Sequence, residues 1–203
     1  MVFVAKSEIE YFRKLSQRYS NPKSVQKFLR NLDYNNEERG ETQRSALSAV
    51  KIRRAHCLEA TLIAAAILEY SGYPPLVMSL ESKDQLDHVI FIFKEKTGWG
   101  SVARSRMEGL HGRKPVYRSL KQLALSYFDP FIDKTGRLTG FAIANLDDMK
   151  TPWRNSRRNV WKVAADLIAL KHTPLLVSDF RYQKWLEFYK RTGQSGLKQP
   201  TWW

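Results

Sequence analysis

The stretch Arg53-Arg54-Ala55-His56-Cys57-Leu58-Glu59-Ala60-Thr61-Leu62-Ile63-Ala64-Ala65-Ala66-Ile67-Leu68-Glu69-Tyr70 organises the reading of the whole chain. Alanine, leucine and isoleucine dominate positions 60–68, and Gly72 with Pro74 and Pro75 supplies a stop, so a helix is expected from about residue 57 to 71. Its apolar residues wrap most of the circumference, the pattern of a helix buried on several sides at the centre of a core. Cys57, the single cysteine of the chain, falls in the first turn. A thiol placed there meets unpaired backbone N–H groups and the positive end of the helix dipole, and both favour the thiolate. Arg53, Arg54 and His56 add positive charge close by in sequence.

Downstream, two apolar runs read as strands. Leu76-Val77-Met78-Ser79-Leu80 is short; Val89-Ile90-Phe91-Ile92-Phe93 is stronger and is opened by His88. Lys94 to Gly98 reads as a hairpin connection, and Trp99 to Ser105 as a returning third strand with Trp99, Ser101, Ala103 and Ser105 on one face. Upstream, Ile9, Phe12 and Leu15 mark one helix stripe. Asn21-Pro22 starts a second helix carrying Val25, Phe28, Leu29 and Leu32, and a short third helix runs from about Gln43 to Val50. Beyond the strands come a glycine-containing basic loop at 109–114 and a helix from Ser119 that ends or bends at Pro130. Two further helices follow, one carrying Val160 to Ile168 and an aromatic-rich one from Ser178-Asp179. Residues 136–146 are left without an assignment, and the last dozen residues are expected to fray.

This order is α+β: a central helix carrying Cys57, packed on a small antiparallel sheet, with flanking helices. At 203 residues the chain suits one domain, with N-terminal helices over 1–50, a Cys/His core over 51–130 and a helical C-terminal part over 131–203.

Thirty-four Lys and Arg face twenty Asp and Glu, a formal charge of +14. The basic residues are dispersed, with local concentrations at Lys51–Arg54, Arg104–Arg118 and Arg154–Lys162. No RNP signature, zinc-ligand pair or helix-turn-helix pattern accompanies them, which favours a solvated basic surface over specific nucleic-acid binding. One cysteine excludes an intramolecular disulfide. The N-terminus becomes charged too early for a secretory signal, and no run reaches the eighteen or so apolar residues of a membrane span, so the cytoplasm is the expected location. His111 and His172 have no cysteine or carboxylate partners at ligand spacing; neither a metal nor a cofactor is expected.

A lone cysteine beside an apolar helix is most often a small core residue, and a lone histidine at a strand end is most often merely hydrogen-bonded. The chemical reading comes from their order and placement. If the strand opened by His88 packs against the start of the Cys57 helix, the imidazole can take the thiol proton and later return it to a leaving group. A third group normally fixes the imidazole tautomer. Pairing Lys94 with Trp99 sets His88 opposite Ser105, which makes Ser105 the leading orienting group and Ser101 the second. Asp87 would point to the opposite face. The Cys57 N–H is the expected oxyanion donor, and His56, Ser101, Tyr127 and Gln43 are candidates for the remaining oxyanion or substrate contacts.

The segment from His56 to Tyr127, roughly a third of the chain, resembles the transglutaminase-like cysteine hydrolase superfamily. In that pattern a helix-start Cys is followed by a strand-start His, then by a Trp-containing strand that ends in Asp or Asn. Arg54-Ala55-His56-Cys57-Leu58-Glu59, Pro74-Pro75-Leu76, Asp87-His88-Val89, Trp99-Gly100 and Pro115-Val116-Tyr117-Arg118-Ser119-Leu120 resemble a bacterial branch of it. The resemblance implies a transglutaminase-like or papain-like fold. It also implies a hydrolase or acyltransferase of the thiol-protease type, acting on a peptide or other amide or ester through a Cys57 thioester, with His88 as base. Where the superfamily has its acid or amide, four residues after Trp99, this chain has Ala103. A Cys–His dyad, a serine-oriented variant and an inactive domain that binds an anionic partner such as nucleic acid through its basic surface are the alternatives this leaves open.

Overall fold

The computed structural model describes residues 6–38, 40–83, 88–134 and 136–203, with side chains from residue 10 onward. Helices α1 (Lys6–Arg18) and α2 (Pro22–Arg30) lead to a two-residue strand β1 (Asp33–Tyr34), then α3 (Ala46–Lys51) and a second short strand β2 (Arg54–Ala55). Helix α4 (Cys57–Leu68) follows at once. Strands β3 (Leu76–Ser82), β4 (His88–Glu95), β5 (Gly98–Val102) and β6 (Arg113–Tyr117) come next, then α5 (Leu120–Leu125) and α6 (Phe128–Phe131). The chain closes with β7 (Leu138–Asn145), α7 (Trp161–Ile168), β8 (Thr173–Pro174) and α8 (Asp179–Thr192).

As its all-round apolarity requires, every residue of α4 from Leu58 to Leu68 is buried. A single 3₁₀ turn extends it to Ser71, and Gly72 stops it in the left-handed region (φ 82°), which glycine adopts without a Cβ penalty. Helix α4 lies across β4, tied by Thr61 Oγ1 donating to the Val89 carbonyl at 2.9 Å. Leu62, Ile63 and Ile67 join Val25, Leu29, Leu47 and Val50 of the flanking helices in one apolar core, which the sheet completes with Val77, Val89, Phe91 and Phe93. The alternate residues Met78, Leu80, Ile90 and Ile92 belong to a second core with Leu123, Tyr127, Phe128 and Phe141. Strand β4 is thus buried on both faces, which explains why His88–Phe93 reads as an unbroken apolar run rather than an alternating one.

The main sheet is antiparallel throughout, in the order β6-β5-β4-β3-β7-β8. Lys94 pairs with Trp99, the register expected from the hairpin, but Glu95 also pairs with Gly98, so the connection is shorter than expected. The expected third strand is shorter than its alternation suggested: β5 ends at Val102, and the amide and carbonyl of Ala103 are taken by the Gln26 side chain of α2 at 3.0 and 2.9 Å. The end of the basic loop at 109–114 begins the edge strand β6. Residues 138–145, without an assignment from sequence, form a strand beside β3, so the C-terminal part is not purely helical. The chain end does not fray. Thr201 O accepts from Lys114 N at 2.8 Å, Trp202 bridges Arg113, and Trp203 Nε1 donates to the Ser101 carbonyl at 2.9 Å. Among the described residues no helix is long and apolar enough to cross a membrane.

Candidate active site

Cys57 is the first residue of α4, and His56 is its N-cap. The His56 ring does what an Asn or Ser does at other helix starts: Nδ1 lies 3.2 Å from the Leu58 amide. Three residues on, Glu59 returns the bond, accepting from the His56 amide at 3.1 Å, which completes a capping box. Glu59 is fully buried, yet every side of it is met: Asn35 Nδ2, Thr42 Oγ1, Arg44 N and Arg44 Nη1 all donate to it at 3.0–3.2 Å. The loop after β1 is therefore fastened to the helix start. Pairing of Tyr34 with Ala55 brings Tyr34 and Asn35 to the same place.

Burial pushes the Cys57 thiol pKa up, but hydrogen bonding and charge from the neighbouring His56 and His88 rings outweigh it and bring it down to about 5. Burial opposes the charged form of His56 too, but the adjoining thiolate, Glu59 and the Thr42 carbonyl raise its pKa to about 9. Its Nε2 is committed to that carbonyl at 2.9 Å. Only an unprotonated Nδ1 can accept from the Leu58 N–H, so a cationic His56 gives up that bond. The cationic help that the sequence placed on Arg53 and Arg54 comes from the imidazoles, since both arginines are exposed.

His88 Nε2 donates to the carbonyl of Leu110 at 2.9 Å. That bond fixes the tautomer and leaves Nδ1 as the nitrogen open to the thiol. The orienting group is a backbone carbonyl, not Ser105. Ser105 does line the same cleft, but its Oγ accepts from the Met107 amide at 3.2 Å and its carbonyl from His111 Nε2 at 2.9 Å. Ser101 and Tyr127 are also elsewhere. They bond each other at 2.7 Å inside the second core, where Ser101 Oγ accepts from the Arg113 amide and Tyr127 OH donates to the His111 carbonyl. Ala103 is fully buried under the Gln26 amide. The expected orientation of Asp87 lies outside the described residues.

His111 is buried and hydrogen-bonded. Burial, then the neighbouring Arg104 and Arg30, hold its pKa down to about 4, and the neutral ring accepts from Arg30 Nε at 3.2 Å. Among the described residues no group of three or more His, Cys, Asp or Glu side chains is arranged to hold a metal ion.

The sulfur opens into a cleft of about 510 Å³. Tyr34, Asn35, Glu37 and Glu41 line it from the β1 side, Ser105 to Met107 and Leu110 from the loops after β5, and Phe131, Leu167 and Ile168 from α6 and α7. Tyr34 escaped the sequence reading. Its ring carries the Arg104 and Arg106 guanidiniums at 5.6 and 5.9 Å; burial, then the charge on Cys57, push its pKa up to about 12, so it stays a hydroxyl donor. No local pattern marks Tyr34, because a two-residue parallel bridge across twenty residues brings it to the cysteine. No family model matches this chain, and no curated protein matches it.

Proposed function

We propose that this chain is a thiol hydrolase or acyltransferase on a transglutaminase-like architecture, acting on an amide or ester bond through a Cys57 thioester. One observation carries the reading: a partly buried thiol at a helix start, its pKa lowered by two neighbouring imidazoles, lines a cleft of about 510 Å³. A core cysteine needs neither imidazole.

In this reading His88 Nδ1 takes the Cys57 proton, the resulting thiolate attacks the substrate carbonyl carbon, and the carbonyl π pair moves onto oxygen. The Cys57 amide at the helix start and the Tyr34 hydroxyl are the donors available to that oxyanion. Collapse expels the amine or alcohol, which takes its proton from His88 Nδ1, and leaves Cys57 as a thioester. His88 then removes a proton from water or from an acceptor amine, which attacks the thioester carbon. The thiolate departs and the cycle closes. A free, ionised thiol suits a reducing compartment such as the cytoplasm.

The experiment is acyl capture. Incubation with p-nitrophenyl acetate should add one acetyl group to Cys57 by intact-mass measurement, with hydroxylamine removing it and Cys57→Ser abolishing it. Absence of any adduct from the native protein, with acetylation appearing only after denaturation, would support a core cysteine instead.

A further inference from the structure

Arg113 is fully buried, and among the described residues no carboxylate accepts a hydrogen bond from it. A guanidinium out of water is expected to be paired, so an alternative use of its five donors needs a reason. Nε donates to Ser126 Oγ at 3.2 Å, and the other bonds go to main-chain oxygens. Nη2 reaches the Gly109 carbonyl at 2.7 Å and Ser126 O at 3.1 Å; Nη1 reaches the His111 carbonyl at 2.7 Å. Its plane lies over the Tyr127 ring at 3.9 Å and the Trp202 ring at 4.8 Å, whose electron-rich faces take the place of a counter-ion.

Gly109 and His111 are the residues on either side of Leu110, and the Leu110 carbonyl is the group that anchors His88 Nε2. We propose that Arg113 is a positioning residue: its guanidinium clamps the carbonyls flanking Leu110 and thereby fixes the carbonyl that orients His88. The inference rests on the thiol-enzyme reading above. Two further contacts make the loop rigid from outside. A Cβ at Gly109 would stand 2.7 Å from Pro130 Cβ and 3.0 Å from the Trp202 ring, and Tyr127 OH donates a second bond to the His111 carbonyl at 3.0 Å. The clamp supplies a fixed acceptor behind the imidazole. A carbonyl acceptor brings no charge of its own and cannot be replaced by side-chain substitution, so its position depends on the residues that hold the loop.

Arg113→Lys tests this. An ammonium keeps the charge but is one centre, and it cannot span both carbonyls as the guanidinium fork does. The readouts are the pH dependence of Cys57 alkylation by iodoacetamide and the His88 tautomer by ¹⁵N NMR of the full chain. Besides the two imidazoles, the titratable and charged groups described along the cleft are Tyr34, Glu37, Glu41, Arg106 and Asp133, with Glu59 bonded to the His56 amide; the variant touches none of them. With circular dichroism unchanged, the alkylation midpoint should rise by one pH unit or more, a tenfold loss of thiolate below it, and His88 should lose its single Nε2–H form. A wild-type midpoint and tautomer in Arg113→Lys would overturn the inference while leaving the thiol enzyme intact. A wild-type protein whose alkylation ignores His88→Ala would instead remove the reading it rests on. Should Arg113→Lys not fold, Tyr127→Phe, which frees one bond to the same loop, must shift the midpoint in the same direction, and an unmoved midpoint overturns the clamp.

Discussion

His88 Nε2 sits 2.9 Å from the carbonyl oxygen of Leu110, so the imidazole that faces Cys57 is oriented by main chain. A neutral acceptor holds the tautomer but stabilises the imidazolium less than a carboxylate would. The second imidazole, His56, makes up that deficit, since it pairs with the thiolate from the helix N-cap and is backed by the buried Glu59.

The pair of shifts sets the pH range of the site. The thiol, lowered to about 5, is ionised above that pH, and His56, raised to about 9, is cationic below it. The ion pair is populated between the two, and kcat/KM for an activated ester should be bell-shaped with limbs near those values. Stability follows the same signs. The depressed Cys57 contributes fully above the unfolded thiol value of about 8.5 and loses its contribution as pH falls through about 5. The raised His56 contributes fully below about 6.5 and loses its contribution as pH rises through about 9. Denaturation midpoints of wild type minus Cys57→Ser across pH should peak between those unfolded values; a flat difference would remove the ion pair.

His88→Ala removes the group that returns the proton. Its effect should be a fall in kcat of roughly 10²–10⁴ with the fold retained, because general acid–base groups contribute on that scale. Steady-state kinetics with circular dichroism checks it, and a loss below threefold would assign the proton transfer elsewhere.

Glu59→Ala strips the acceptor from five donors in a buried place. We expect a loss of about 3–5 kcal/mol in urea denaturation, the scale of breaking a buried charged network. Glu59→Gln keeps the volume and should cost less, while still lowering the alkaline limb because Glu59 helps hold His56 cationic. An alkaline limb unmoved in Glu59→Gln would count against that coupling.

Much of this was legible before folding. The all-round apolarity of residues 58–68 identifies a buried helix, and the Lys94–Trp99 pairing follows from a four-residue connection over 95–98, of which only 96 and 97 turn out to be the turn. The capping box was within reach too, since Glu59 stands three residues after His56 at a helix start. What the sequence hides is main-chain chemistry and distant pairing. Period-two alternation carried the third strand on to Ser105, but Gln26, seventy-seven residues from Ala103, takes the hydrogen bonds that a strand partner would have used. The strand at 138–145 was obscured by Gly140 and by its mixed burial, and the Leu110 carbonyl has no signature, because every residue has a carbonyl.

The charge of +14 gives a separate expectation. With basic residues dispersed, binding to duplex, single-stranded nucleic acid and heparin should be weak at about 0.15 M salt, without preference, and indifferent to Cys57→Ser. Fluorescence anisotropy over a salt series measures it. A tight, structure-selective complex at that salt would favour the binding-module alternative.

The central claim is that Cys57 is a thiolate in the native protein, and its ultraviolet thiolate absorbance, wild type minus Cys57→Ser, titrated against pH, measures this without any substrate. The expected midpoint lies near 5 and moves upward in His56→Ala and in His88→Ala. A midpoint at or above the ordinary thiol value of about 8.5, insensitive to both variants, would contradict it.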